Sequence, residues 1–259
     1  MSTEPARPRK PRFQAQVRRV QRLAPRMVRV TFGGDELAHF VWNGPAAHIK
    51  VFLSMGDSSA PEGSAAARPL ARTYTPRRFD AQAGELDVDF VIHGEGPASS
   101  WAAQARPGQS LTIAGPGRSY AVDAQAPWHL LVGDDSAIPA IGTILEALPG
   151  ARVRSLIEVV DDAERTALAT SAGAAHIEWL TRGTDPRRAG TELEAALRAM
   201  ELPPGAGRVY VACEADAMRR MRRHLIFERG LERAQLVTRG YWRLGETDHP
   251  DRDYGEDVG

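Results

Sequence analysis

Six consecutive residues, Arg72-Thr-Tyr-Thr-Pro-Arg77, combine two guanidinium groups flanking a phenol ring and two hydroxyls. The run is too charged for a buried strand and too rich in Arg, Thr and Tyr for a plain turn. Tyr74 offers a flat face on which a planar ring can stack. Arg72 and Arg77 offer rigid forks of donors, which suit phosphates and carboxylates. Thr75 can hydrogen-bond the edge of a stacked ring through its hydroxyl or its backbone. Together they suit recognition of a flat, phosphorylated ligand. An edge strand with solvated arginines and an inward-packed tyrosine uses the same residue types.

A second stretch, His93-Gly-Glu-Gly-Pro-Ala-Ser-Ser-Trp101, reads as the start of a helix. Gly94 and Gly96 let the backbone approach a ligand closely. Pro97 suits a first helical turn, and Ser99 or Ser100 can cap it. The first amides of a helix have no helical acceptors, so those of Ala98, Ser99 and Ser100 can cradle a pyrophosphate. Asp89, in the strand leading to this turn, is assigned to the same site. The dinucleotide fingerprint is absent, because no third glycine follows. An ordinary helix cap has the same pattern. A third stretch, "VGDDSAIPAI", places Asp134, Asp135 and Ser136 between a strand and a helix, where nucleotides bind in open α/β sheets. A fourth, "TRGYWRLGE", puts Trp242 in the last strand, where it can cover a ring face or plug a domain interface.

The elements that must position these residues fall into two groups. From Phe13 to about Val122, short runs alternate apolar and polar residues between turns, as in "ELDVDFVIHG". That rhythm predicts an antiparallel barrel, interrupted by one helix in "GPASSWAAQARPG". After Pro127, strand-like and helix-like segments alternate, which predicts a parallel sheet with helices on both faces. The expected organisation is a mobile basic arm (1–12), a barrel domain (13–123), an α/β domain (127–245) and an acidic tail (246–259). Residues 56–68 form a small-residue loop.

Composition narrows the chemistry. The 259 residues carry equal numbers of acids and bases, 33 each, so no global charge favours nucleic acid. Lys10 and Lys50 are the only lysines. Cys213 is the only cysteine, which excludes an internal disulfide and an iron–sulfur cluster held by this chain alone. The seven histidines include no His-x-x-x-His pair, and no resident metal site is expected. The N-terminus lacks the apolar core of a signal peptide, and no run has the length of a membrane span. A cytoplasmic monomer is expected. Redox chemistry then requires a bound cofactor, and a flavin between barrel and α/β domain explains the Arg-Tyr-Thr run. The paired anion sites favour FAD over FMN.

Arg-x-Tyr-Thr-x-Arg, "HGEGPASSWA", "GDDSAIPAI" and "GYWRLG", in this order from about Phe13 to Gly245, resemble the siderophore-interacting proteins. These are flavin-dependent ferric-siderophore reductases of the ferredoxin–NADP reductase superfamily. The resemblance implies a six-stranded flavin barrel followed by a ferredoxin-reductase-like nucleotide domain. It implies that Arg72, Tyr74 and Thr75 contact the flavin ring and ribityl chain. It further implies that His93, Gly96, Ala98, Ser99 and Trp101 surround the pyrophosphate and adenine. Asp134 and Trp242 would lie near the ring or an incoming nicotinamide.

The chain departs from its resemblance at the end. Many relatives carry lysines in or after the last strand, and this chain has none after Lys50. Arg243, His249 and Arg252 are the remaining bases for a ferric siderophore, among many acids. A less anionic, hydroxamate or mixed chelate is expected. For the electron donor, Glu158 can accept a ribose hydroxyl and disfavour a 2′-phosphate, whereas Arg182, Arg187 and Arg188 can favour one. NAD(P)H is the expected donor, with ferredoxin as the alternative. A general flavin reductase and a non-catalytic siderophore carrier are the rival functions.

Overall fold

The computed structural model describes residues 10–53, 70–94, 96–247 and 249. The first unit is an antiparallel sheet of β1 (Arg12–Ala24), β2 (Met27–Gly33), β3 (Ile49–Leu53), β4 (Leu70–Tyr74), β5 (Pro76–Asp80), β6 (Glu85–Val91) and β7 (Ser110–Ala114). The order across it is β4-β3-β7-β1-β2-β6-β5. β4 and β5 therefore lie at opposite edges, although only Thr75 separates them in sequence. The run 70–80 bends at Thr75 and joins the two edges, which curls the sheet into the expected barrel. Counted with that run as one bent strand, the barrel has six strands. Bending at this point is natural, because Pro76 has no amide proton to continue a ladder.

Strand alternation fills the interior. Phe13, Ala15 and Val17 of β1 face Val28, Val30 and Phe32 of β2, Ile49, Val51 and Leu53 of β3, and Leu86, Val88 and Phe90 of β6. Each large side chain so buried contributes about 1.5–3 kcal/mol. Between β6 and β7 the chain forms the single helix α1 (Pro97–Ala103), which closes one end of the barrel.

The second unit contains β8 (His129–Asp134), α2 (Ile138–Glu146), β9 (Arg152–Val159), β10 (Ala174–Thr181), α3 (Thr191–Ala199), β11 (Arg208–Glu214), α4 (Ala215–Arg223) and β12 (Leu236–Trp242). All its strand pairs are parallel, in the order β10-β9-β8-β11-β12. Ile141, Ile144 and Leu145 of α2 pack on one face with Leu131, Ile157 and Tyr210. Leu193 and Leu197 of α3 and Met218 and Met221 of α4 pack on the other with Leu130, Leu156 and Val211. The chain leaves β8 in one direction and returns to β11 on its other side. The carboxyl ends of β8 and β11 thus flank the switch point, the place where open α/β sheets bind ligands.

Direct bonds hold the units together. Arg77 of β5 makes a two-pronged ion pair with Glu146 of α2, at 2.6 and 3.1 Å. The Arg26 amide donates to the Glu164 carboxylate at 2.9 Å, and the Ala46 amide donates to Oγ1 of Thr143 at 2.9 Å. Ala24 and Met27 of the first hairpin pack into the α2 face of the second unit. Among the described residues, no helix is long and apolar enough to cross a membrane.

Candidate functional site

Phe90, at the barrel end of β6, brings the two main motifs together. The Tyr74 ring packs on Phe90 with centroids 4.4 Å apart, and the Trp101 ring of α1 packs on it at 5.5 Å. Tyr74 and α1 are therefore neighbours at one mouth of the barrel. Tyr74 remains partly exposed there. Burial pushes its phenol well above the usual tyrosine range, with Arg72 pulling weakly the other way. The ring is thus a neutral platform. Arg72 donates to the carbonyls of Ala71 and Thr247, at 2.9 and 2.8 Å. Gly96 caps α1 with extended backbone, and Gly94 adopts φ +54°. A Cβ at either glycine would meet nothing within 4 Å, so the backbone before α1 is open to a ligand.

Several expected contacts are spent on structure. Arg77 is bound to Glu146, so of its two readings the carboxylate partner is the one seen. Asp89 points away from the barrel interior and makes a two-pronged pair with Arg29 at 2.7 and 2.8 Å, which removes it from the ring platform. The Ser100 amide donates to the Gly96 carbonyl at 2.8 Å and closes the first turn of α1, so it is not a free anion donor. The Ser99 hydroxyl accepts from the His93 amide at 2.7 Å and lies 3.0 Å from the His93 carbonyl, tying the strand exit to the helix. Its backbone amide, with that of Ala98, belongs to the open first turn. The Trp101 ring stacks on Phe32 at 6.2 Å and 13° and stays partly exposed at the barrel end. These contacts seat α1 on the barrel.

The second unit presents a polar cluster at the carboxyl edge of its sheet. The Asp134 carboxylate is fully buried. It accepts from the Ser136 amide at 3.0 Å and from the Ser136 hydroxyl. Its other oxygen accepts from the Glu214 amide at 3.0 Å and from the Trp242 indole at 2.7 Å. One side chain so ties the ends of β8, β11 and β12. Burial, and then the Asp135 charge, push its pKa up to about 7.

Glu158 corrects the expected ribose contact. Its buried carboxylate accepts from the amides of Gly190, Glu192 and Leu193, at 2.8, 3.2 and 3.4 Å, and so caps α3. Arg187 and Arg188 pair with Asp185 and Glu192. Arg182 differs. It is buried and donates to Asp135 at 3.1 Å, but its Nε and Nη1 have no hydrogen-bond partner among the described residues. Glu158→Ala is expected to destabilise the protein by about 1–2 kcal/mol through the lost cap, measured by thermal unfolding. The ratio of NADH to NADPH turnover should stay within about twofold of wild type.

The last segment also differs from expectation. Arg243 pairs with Asp216 at 3.0 Å and Glu246 at 3.5 Å. The His249 side chain is only 5 % exposed and bonds Glu246 at 3.2 Å, so it is not an open base for substrate. Through Thr247, bound by Arg72 at 2.8 Å, the chain after β12 reaches back to the barrel, and beyond Thr247 the expected acidic tail, apart from His249, lies outside the described residues. Arg252 lies outside the described residues.

The siderophore-interacting FAD-binding domain profile matches residues 16–120, and the siderophore-interacting protein profile matches residues 126–245. The chain belongs to the siderophore-interacting protein family. It is 35% identical over 234 residues to the ferric vibriobactin reductase ViuB of Vibrio cholerae, covering 86% of each chain. It is 31% identical over 242 residues to the NADPH-dependent ferric-chelate reductase of Escherichia coli, covering 87% of this chain and 91% of that one. A siderophore utilization protein from T. fusca superposes with TM-score 0.81 at 35% identity, over 93% of this chain and 96% of that structure.

Family membership makes the barrel an FAD-binding domain, and the residues present fit that cofactor. They offer a neutral aromatic platform at Tyr74, a cation at Arg72 and open backbone before α1. The sequence motifs marked these positions. They carried no sign of Tyr210, whose hydroxyl meets that of Tyr241. Of the three arginines named for a 2′-phosphate, Arg182 alone has spare buried donors among the described residues.

Proposed function

We propose that this protein is an FAD-dependent ferric-siderophore reductase driven by NAD(P)H. The observation that carries this reading is the junction at Phe90, where the Tyr74 platform and the open start of α1 meet. The reductase names of the Vibrio cholerae and Escherichia coli relatives support it. Bound FAD supplies the redox chemistry, taking two electrons from a nicotinamide and passing them singly to ferric iron.

The chain's own residues bind and orient. Tyr74 gives the ring a face, and Arg72 gives the pyrophosphate a cation. The first amides of α1, at Ala98 and Ser99, add donors of fixed direction. Thr75, buried at the bend between the barrel edges, would hydrogen-bond the ring edge. The crevice at β8 and β11 receives the nicotinamide, with Trp242 held beside it by Asp134. The spare donors of Arg182 suit ribose or phosphate oxygens of the electron donor.

Ferrous iron binds hard oxygen ligands less strongly than ferric iron, so reduction loosens the chelate. The substrate side therefore needs an open ring face rather than a cage. Among the described residues, no group of three or more His, Cys, Asp or Glu is placed to hold a metal. With no lysine after Lys50, a hydroxamate or mixed chelate suits the chain. It works as a cytoplasmic monomer, with reduced ferredoxin as the other donor to test.

The purified protein should be yellow, release FAD on denaturation, and liberate Fe(II) from a ferric siderophore with NADH or NADPH. A ferrous-specific dye reads the product. Mainly FMN, or no flavin after reconstitution, would overturn the reading. Rapid reduction of free flavin without iron release would assign a general flavin reductase. Arg243→Ala is expected to raise KM for an anionic ferric siderophore about two- to threefold at low salt, with kcat unchanged. The effect should fade as salt rises, because half-exposed ion pairs and steering are screened.

A further inference from the structure

β12 ends at Trp242, and residues 243–247 cross from the second unit to the barrel. Their base is held to the second unit. The Trp242 indole donates to Asp134 at 2.7 Å, and the Leu244 amide donates to the Glu214 carboxylate at 3.4 Å. The Glu246 amide donates to the Arg243 carbonyl at 3.1 Å, which closes a turn. Gly245 makes that turn at φ +83°. A Cβ at Gly245 would meet nothing within 4 Å, so the position has room for a side chain and only its backbone angle asks for glycine. The tip of the turn, the Thr247 carbonyl, accepts from Nη2 of Arg72 at 2.8 Å.

That contact lies beside the Tyr74 platform. Arg72 and Tyr74 stand two residues apart in β4, and side chains at that spacing share one face of a strand. Arg72 also bonds its own strand, through Nη1 to the Ala71 carbonyl at 2.9 Å. A guanidinium is a planar fork of donors, so acceptors on two of its nitrogens fix its plane as well as its place. Neither carbonyl has a formal charge, so these two bonds orient the cation without cancelling it. A long side chain ordered in advance loses less freedom when a ligand binds, and affinity rises accordingly. The second acceptor comes from 175 positions away, so Arg72 is set in this way only when β12 is docked and the turn is made.

We propose that the turn 243–247 is a positioning element for the cofactor: bent at Gly245, it brings the Thr247 carbonyl to Arg72 and aims the guanidinium at the FAD pyrophosphate. This inference rests on the FAD reading above, in which Arg72 meets the pyrophosphate.

The test titrates FAD onto the apoproteins of wild type, Gly245→Val, Gly245→Asn, Arg72→Ala and the Gly245→Val/Arg72→Ala double variant, with melting temperatures alongside. A β-branched valine does not tolerate a positive φ, whereas asparagine does. Gly245→Val is expected to weaken FAD binding about three- to tenfold, the worth of one ordinary hydrogen bond. Gly245→Asn should recover most of that loss. In the Arg72→Ala background, Gly245→Val should add less than about twofold, as expected of two changes in one interaction. An asparagine variant as weak as valine, or the same loss with and without Arg72, would overturn the proposal. So would a Gly245→Val protein that melts earlier but binds FAD like wild type, which would make the turn structural alone. A wild-type protein that takes up no FAD sinks the FAD reading and this inference together. An Arg72→Ala protein that binds FAD as tightly as wild type ends the inference and leaves the FAD reading standing.

Discussion

Replacing Asp134 by alanine is expected to destabilise the protein by about 3–5 kcal/mol at pH 5. The loss comes from two buried donors, the Glu214 amide and the Trp242 indole, which now share one acceptor oxygen. Each stranded donor costs about 1–3 kcal/mol. For a chain of this size, melting should fall by roughly 10 °C. Asparagine should behave differently. Its oxygen can keep both buried donors, but its amide nitrogen meets the Ser136 amide, so asparagine should recover most and not all of the loss while removing the titration of Asp134.

The pH dependence follows from the same group. Burial raises the folded pKa to about 7, above an unfolded value of about 3.9. The folded protein therefore holds more protons than the unfolded one between these values. Stability from this source is full below about pH 4 and is lost as pH rises through 7. A decline of about 2–4 kcal/mol across that window is expected, from chemical denaturation at fixed ionic strength. Asp134→Asn should flatten it. A wild-type profile that rises from pH 5 to 8 with the same slope as the Asn variant would show that the four donors keep the carboxylate charged.

Tyr74→Ala is expected to weaken FAD binding about ten- to a hundredfold, from lost stacking and aromatic burial of roughly 1–3 kcal/mol. Tyr74→Phe keeps the ring and should change affinity less than threefold. Because Tyr74 also packs on Phe90, the melting temperature of the apoprotein must be read beside the titration. A lower melting temperature with unchanged FAD affinity would make Tyr74 a packing residue alone.

The division between legible and hidden features follows the range of the interactions. Local pattern was enough for the barrel strands, because alternation around Val88 and Phe90 is set by side-chain period. It was enough for α1, because Gly96-Pro97 marks a helix start within a few residues. It also marked Arg72 and Tyr74, whose types suit a flat anionic ligand as well as an edge strand. Thr75 was legible as a hydrogen-bonding residue beside Tyr74, but its place at the closing bend depends on which edges β4 and β5 join. The residues found already paired share one cause. Asp89 meets Arg29 60 positions away, Arg77 meets Glu146 69 away, and Glu158 caps a helix that begins more than 30 residues later. A carboxylate or guanidinium looks the same in sequence whether it awaits a ligand or is already paired. Only packing brings the partner within 3 Å, and desolvation then commits the charge to it. The Tyr210–Tyr241 pair is a clear case: two ordinary residues meet hydroxyl to hydroxyl at 2.7 Å only because packing sets β11 beside β12.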